Sequence, residues 1–137
     1  MFMVLRWFFA VLAVMGGFFV AGISGGIAAD LVGFWAVPGA GFSAAFAVVI
    51  LTYLTVPNYK FLSACVALVI GAIAAWPILE PSFFPESYGE RGAYQPTHLP
   101  IIITYAGGIL GLLTAVASTL PASGDKSRES PRGFVRR

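Results

Sequence analysis

The residues best suited to chemistry in this chain are three carboxylates and one histidine, namely Asp30, Glu80, Glu86 and His98. A converging set of such groups could transfer protons or bind a metal ion. His98 is the only histidine, however, and one imidazole with scattered carboxylates is a poor ligand set. We interpret His98 as an interfacial residue. The sequence predicts no catalytic residue, cofactor or metal site, and the four residues stay as extracytoplasmic candidates.

Residues 39–44 (GAGFSA) match the G-x-G-x-x-A pattern, which in dinucleotide-binding folds joins a strand to a helix beneath a pyrophosphate. That function also needs an acidic residue about twenty positions further on. The chain carries no charge between Asp30 and Lys60, and no βαβ pattern surrounds the glycines. The stretch is therefore interpreted as the flexible start of a membrane helix.

Residues 38–42 (PGAGF) resemble the PGxGF turn that follows the first helix in the small four-helix subunits of tripartite carboxylate transporters. The resemblance covers these five residues only. The rest of the chain departs from that family, which carries a longer, charged connection between its second and third spans. We infer no family membership from it.

The composition identifies the bilayer as the solvent of this chain. Of 137 residues, 58% are hydrophobic and 10% charged, and the mean hydropathy is +0.87. Soluble domains carry about 25% charged residues, and one this apolar would expose patches that aggregate. The net charge of +2 is modest, and no nucleic-acid partner is predicted. Cys65 is the single cysteine, so it is expected to be a small packing residue outside any disulfide.

Four uncharged stretches are long enough to cross a membrane as helices. The central one, residues 61–79, lies between Lys60 and Glu80. At the helical rise per residue its length would be roughly 28 Å, close to the thickness of a bilayer core. The others are residues 7–29, 39–56 and 99–120. The fold class predicted is an all-α, four-helix transmembrane bundle covering residues 1–121.

The first stretch has an alternative interpretation as a cleaved signal peptide, because small residues follow its basic start and apolar run. Its apolar run exceeds the usual length of roughly 7–15 residues, which favours a retained helix. Cleavage would leave three spans. Residues 31–38, with Phe34, Trp35 and Pro38, are expected at the membrane interface before the second span.

Small residues four apart mark faces on which a neighbouring helix can pack closely. The first and fourth spans carry G-x-x-x-G pairs, and the third carries a longer stripe of the same spacing. These predicted packing residues are Gly22, Gly26, Ala67, Gly71, Ala75, Gly107 and Gly111. They predict contact with other helices of the chain or with a partner chain.

Two polar segments flank the last span. Residues 80–98 contain three prolines and four aromatic residues, which predicts a compact loop on the membrane surface. Residues 122–137 are rich in Lys and Arg, and their composition predicts disorder near anionic lipid.

The distribution of bases predicts the orientation. With four spans, seven of the eight Lys and Arg residues fall on one side, and Arg91 alone falls on the other. The positive-inside rule then places both termini in the cytoplasm. A bacterial inner membrane is the expected location.

No ionisable side chain lies well inside a span, although such residues mark many ion-coupled carriers. The polar residues at depth are Thr52, Tyr53, Ser63, Thr104 and Tyr105. The leading hypothesis is a non-enzymatic accessory or scaffold subunit of a membrane assembly. The alternatives are an oligomeric channel or transporter subunit lined by the threonines and tyrosines, and a membrane enzyme using the extracytoplasmic candidates. The expected partners are lipid and a helix of another protein or of a second copy.

Overall fold

A computed structural model describes residues 2–80 and 98–119, and within these ranges the ordered elements are four α-helices. They are α1 (Phe2–Leu31), α2 (Ala36–Thr55), α3 (Lys60–Leu79) and α4 (Leu99–Ala117). All four are long and apolar enough to cross a membrane, which confirms the prediction of four apolar membrane helices. The predicted surface loop around Glu86 and the basic tail lie outside the described residues.

The turn after α1 ends that helix in a Schellman motif. The N–H of Phe34 donates to the carbonyl of Ala29 at 2.9 Å, and the N–H of Gly33 donates to the carbonyl of Asp30 at 3.0 Å. Gly33 has φ = 75°. This is the left-handed conformation, which glycine adopts without a Cβ clash. A glycine at this position therefore reverses the chain within a few residues.

The second helix begins at Ala36, three residues before the predicted span, so Pro38 lies in its first turn. The first N–H groups of a helix have no intrahelical acceptor, so a proline there removes no helical hydrogen bond. Pro38 is buried. Pro38, which was expected at the membrane interface before the second span, is thus part of the helix.

A tight turn joins α2 to α3 and ends at Tyr59, which has φ = 52° and ψ = 40°. The N–H of Val56 closes α2 by donating to the carbonyl of Thr52 at 3.1 Å. A left-handed tyrosine is uncommon, because its Cβ approaches the neighbouring carbonyl. So short a turn leaves α3 antiparallel to α2.

The centre of the bundle is α2, which packs against all three other helices. Along α1 the contacts are antiparallel, since Gly17 lies against Leu51 and Gly26 against Ala40. Along α4 the contacts are parallel, since Gly41 lies against Thr104 and Gly111 against Val49. In the described residues α1 and α3 share no extensive interface, so they flank α2 with a gap between them.

Candidate functional site

The register of these contacts places the charged candidates at one end of the bundle. Continuing the α1–α2 register brings Asp30 level with the start of α2, and the α3–α4 contacts bring Glu80 level with His98. Arg6 and Lys60 fall at the other end by the same register. The described carboxylates are therefore separated from Arg6 and Lys60 by the length of the helices.

Sharing an end does not bring the three candidates into one site. Asp30, Glu80 and His98 are all exposed, and Glu86 lies outside the described residues. In residues 2–80 and 98–119, no three His, Cys, Asp or Glu side chains are close enough to hold a metal ion. The described part of the chain thus supplies no three-ligand cluster for a metal ion at this end.

The predicted packing glycines of α1 lie in the α1–α2 interface. A Cβ added to Gly22 would be 3.6 Å from the Cβ of Ala44, and one on Gly26 would be 3.4 Å from that of Ala40. The closest approach lies between them, where a Cβ on Gly25 would be 2.8 Å from the carbonyl oxygen of Gly39. At Gly25 the two backbones are thus too close for any larger residue.

The predicted glycines of α4 pack against the other face of α2. A Cβ on Gly107 would lie 2.9 Å from the Cα of Phe42, and one on Gly111 would lie 3.0 Å from the carbonyl oxygen of Phe46. Gly107 and Gly111 are both buried. This G-x-x-x-G pair therefore forms the line along which α4 meets α2.

The predicted stripe of α3 has different surroundings. Ala75 is buried and Ala67 half-buried, but a Cβ added to Gly71 would meet no atom within 4 Å. All three residues line a cavity of about 490 Å³ between α1 and α3. We call this cavity the apolar groove; its walls include Phe18, Gly22, Ala44, Val48, Gly71 and Ala75.

Two of the hydroxyl groups at membrane depth donate to backbone carbonyls. Thr104 donates to Pro100 at 2.7 Å within α4, and Tyr105 donates to Ala72 of α3 at 3.1 Å. In the described residues no buried side-chain nitrogen or oxygen lacks a hydrogen-bond partner. Of the four residues proposed to line a polar path, Thr104 lines the groove, whereas Thr52, Tyr53 and Tyr105 do not.

Ser43 is a contact residue that the sequence interpretation passed over. Its Oγ lies 2.7 Å from the carbonyl oxygen of Ala21 on α1 and 2.8 Å from that of Gly39 on its own helix. The hydroxyl therefore donates either across the α1–α2 interface or within α2. The signal was present, because Gly39 and Ser43 form a small pair four residues apart.

The apolar groove offers a ligand hydrocarbon contact rather than reactive groups. Comparison with known proteins finds no matching family model, no similar curated sequence and no similar solved structure.

Proposed function

We propose that this protein is a non-enzymatic accessory or scaffold subunit of a membrane assembly. The observation that carries the proposal is the state of the polar groups inside the bundle. The hydroxyls of Thr104 and Tyr105 are committed to carbonyls of the same chain. A side chain committed in this way stabilises helix packing and offers little to a polar substrate.

The surface of α1 supports contact with another membrane protein. This helix packs against α2 along one face, and the rest of its circumference carries large apolar side chains. Val20 is 70% exposed and Ile27 is 56% exposed, and both are outside the apolar groove. An apolar partner helix would find an exposed apolar surface along α1.

We further propose the bacterial inner membrane as the location, with both termini in the cytoplasm. Antiparallel α1–α2 contacts and parallel α2–α4 contacts support a common end for the first residues of α1 and the last of α4. Arg6 and Lys60 lie toward that end, which is the basic side expected in the cytoplasm.

Site-specific photocrosslinking tests the subunit proposal. A photoreactive residue is placed at Val20 on α1, and a matched one at Leu113 on α4, which is 60% exposed. After irradiation in the native membrane, the complex is purified through a carboxyl-terminal tag and its mass is measured. We expect one stoichiometric foreign partner, linked through Val20 and much less through Leu113.

Other outcomes would overturn the subunit proposal. A homo-oligomer without a foreign partner would favour the channel hypothesis, and ion or solute flux in liposomes would then be measured. If neither position gives a crosslink and the purified protein is a monomer, both the subunit proposal and the channel hypothesis are wrong.

A further inference from the structure

We propose that the apolar groove holds one acyl chain of a phospholipid with an amine-bearing, zwitterionic headgroup. The inference does not depend on the subunit proposal, because it concerns a surface formed within one chain. The groove is bounded by α1 on one side and α3 on the other, with α2 as its floor. Hydrocarbon is the expected occupant at this depth.

The dimensions of the groove fit a hydrocarbon chain. Its lining runs over residues 37–49 of α2 and 67–79 of α3. At the helical rise this stretch is about 18 Å long. Dividing the volume of about 490 Å³ by this length gives a mean cross-section of about 27 Å². A polymethylene chain about 5 Å across needs roughly 20 Å².

The length of the groove agrees with the same occupant. An extended hydrocarbon chain advances about 1.25 Å per carbon, so about 14 carbons fill a length of about 18 Å. The groove extends from the level of Asp30 to past the middle of a bilayer core roughly 30 Å thick. One acyl chain from the leaflet at the Asp30 end matches this position.

The lining is suited to hydrocarbon and to little else. Thr104 supplies the one hydroxyl among the described lining residues, and that hydroxyl donates to Pro100. Small residues on all three helices hold the space open, and Gly71 has no atom within 4 Å of the position a Cβ would take. A larger residue at that position would extend into the groove.

The charges at the open end select the headgroup. Asp30 and Glu80 lie at that level together with His98, whereas the described arginine and lysine, Arg6 and Lys60, lie at the opposite end. Carboxylates attract an ammonium group and repel a net anionic headgroup. Phosphatidylethanolamine satisfies this arrangement better than phosphatidylglycerol does.

A pair of matched substitutions tests the groove. Gly71→Leu places a side chain in it, whereas Gly16→Leu makes the same change on α1 at a position with equally open space outside it. The full chain is purified in mild detergent with phosphatidylethanolamine, and bound lipid is counted by native mass spectrometry. We expect one retained lipid in the parent and in Gly16→Leu. Gly71→Leu should lower lipid occupancy by about five-fold or more, since the leucine side chain and the acyl chain would compete for the same space.

A second measurement keeps the proposal testable if Gly71→Leu fails to fold. Phosphatidylethanolamine with a photoreactive group near the end of its acyl chain is incorporated with the parent protein, and the labelled peptides are identified. Labelling should concentrate on the inner part of the groove, around Val48 and Ala67. Phosphatidylglycerol with the same chain should label more weakly.

The proposal is overturned by any of three results. These are a parent protein without retained lipid, equal occupancy in both leucine variants, and labelling that is uniform along all four helices or that yields a protein helix crosslinked within the groove.

Discussion

Gly107 and Gly16 differ in burial and in the space that surrounds them. Gly107 is buried where α4 crosses α2, and a Cβ there would lie 2.9 Å from the Cα of Phe42. Gly16 is exposed on α1, and a Cβ there would meet nothing within 4 Å. The atoms facing Gly107 belong to the backbone, so a rotamer change cannot relieve the clash.

Gly107→Ala should therefore destabilise the protein by about 1–3 kcal/mol, as overpacking does. Gly16→Ala should cost nothing and gain up to about 1 kcal/mol from helix propensity. Reversible unfolding in mixed detergent micelles, followed by circular dichroism, measures both changes. Equal effects at the two positions would show that α4 does not approach α2 at Gly107.

At the scale of elements, the connections are short and their backbone geometry is specific. Gly33 takes the left-handed conformation after α1, and Tyr59 takes it before α3. Only the first is a glycine. At Tyr59 the chain accepts a strained backbone. The side chain of Tyr59 is 81% exposed, and an aromatic ring in that position suits the membrane interface.

Substitution of Tyr59 should reveal this strain. Tyr59→Val should destabilise the protein by about 1 kcal/mol relative to Tyr59→Gly, because a β-branched side chain fits φ > 0 poorly. Unfolding in mixed micelles measures the difference. Asn58→Val is the control, since Asn58 is also exposed and does not have a positive φ. An equal effect of valine at positions 58 and 59 would contradict the strained turn.

The whole molecule is an open arrangement in which α2 holds the other three helices together. Its described Lys and Arg residues lie at the end opposite to Asp30 and Glu80, which is the basis of the proposed orientation. The same arrangement leaves α1 and α3 apart and creates the apolar groove. Orientation is thus a property of the assembled helices that chemical labelling can measure.

Single cysteines at the two described turns test the orientation. In a Cys65→Ser background, Val32→Cys probes the turn after α1 and Asn58→Cys the turn after α2; both positions are exposed. A membrane-impermeant maleimide applied to intact spheroplasts should label position 32 at once and position 58 only after permeabilisation. The reverse pattern would place the termini outside, and labelling of both would contradict the four-span topology.

The sequence by itself determined the existence and approximate limits of the four apolar helices. The uncharged stretches are bounded by Lys60, Glu80 and other polar residues. Their limits mark the membrane helices because charges are costly inside a bilayer. The start of α2 was less predictable, because Pro38 is compatible with the first turn of a helix as well as with a loop.

Only the tertiary structure decided which faces meet. The small-residue spacing of α3 and α4 is the same in sequence, yet Gly107 touches the backbone of α2 and Gly71 faces the apolar groove. Spacing places residues on a common face but does not choose the neighbour of that face. Helices that are apolar all round give no further guide, since both lipid and protein can cover any side. The central position of α2, and the groove beside it, follow from packing between residues far apart in the chain.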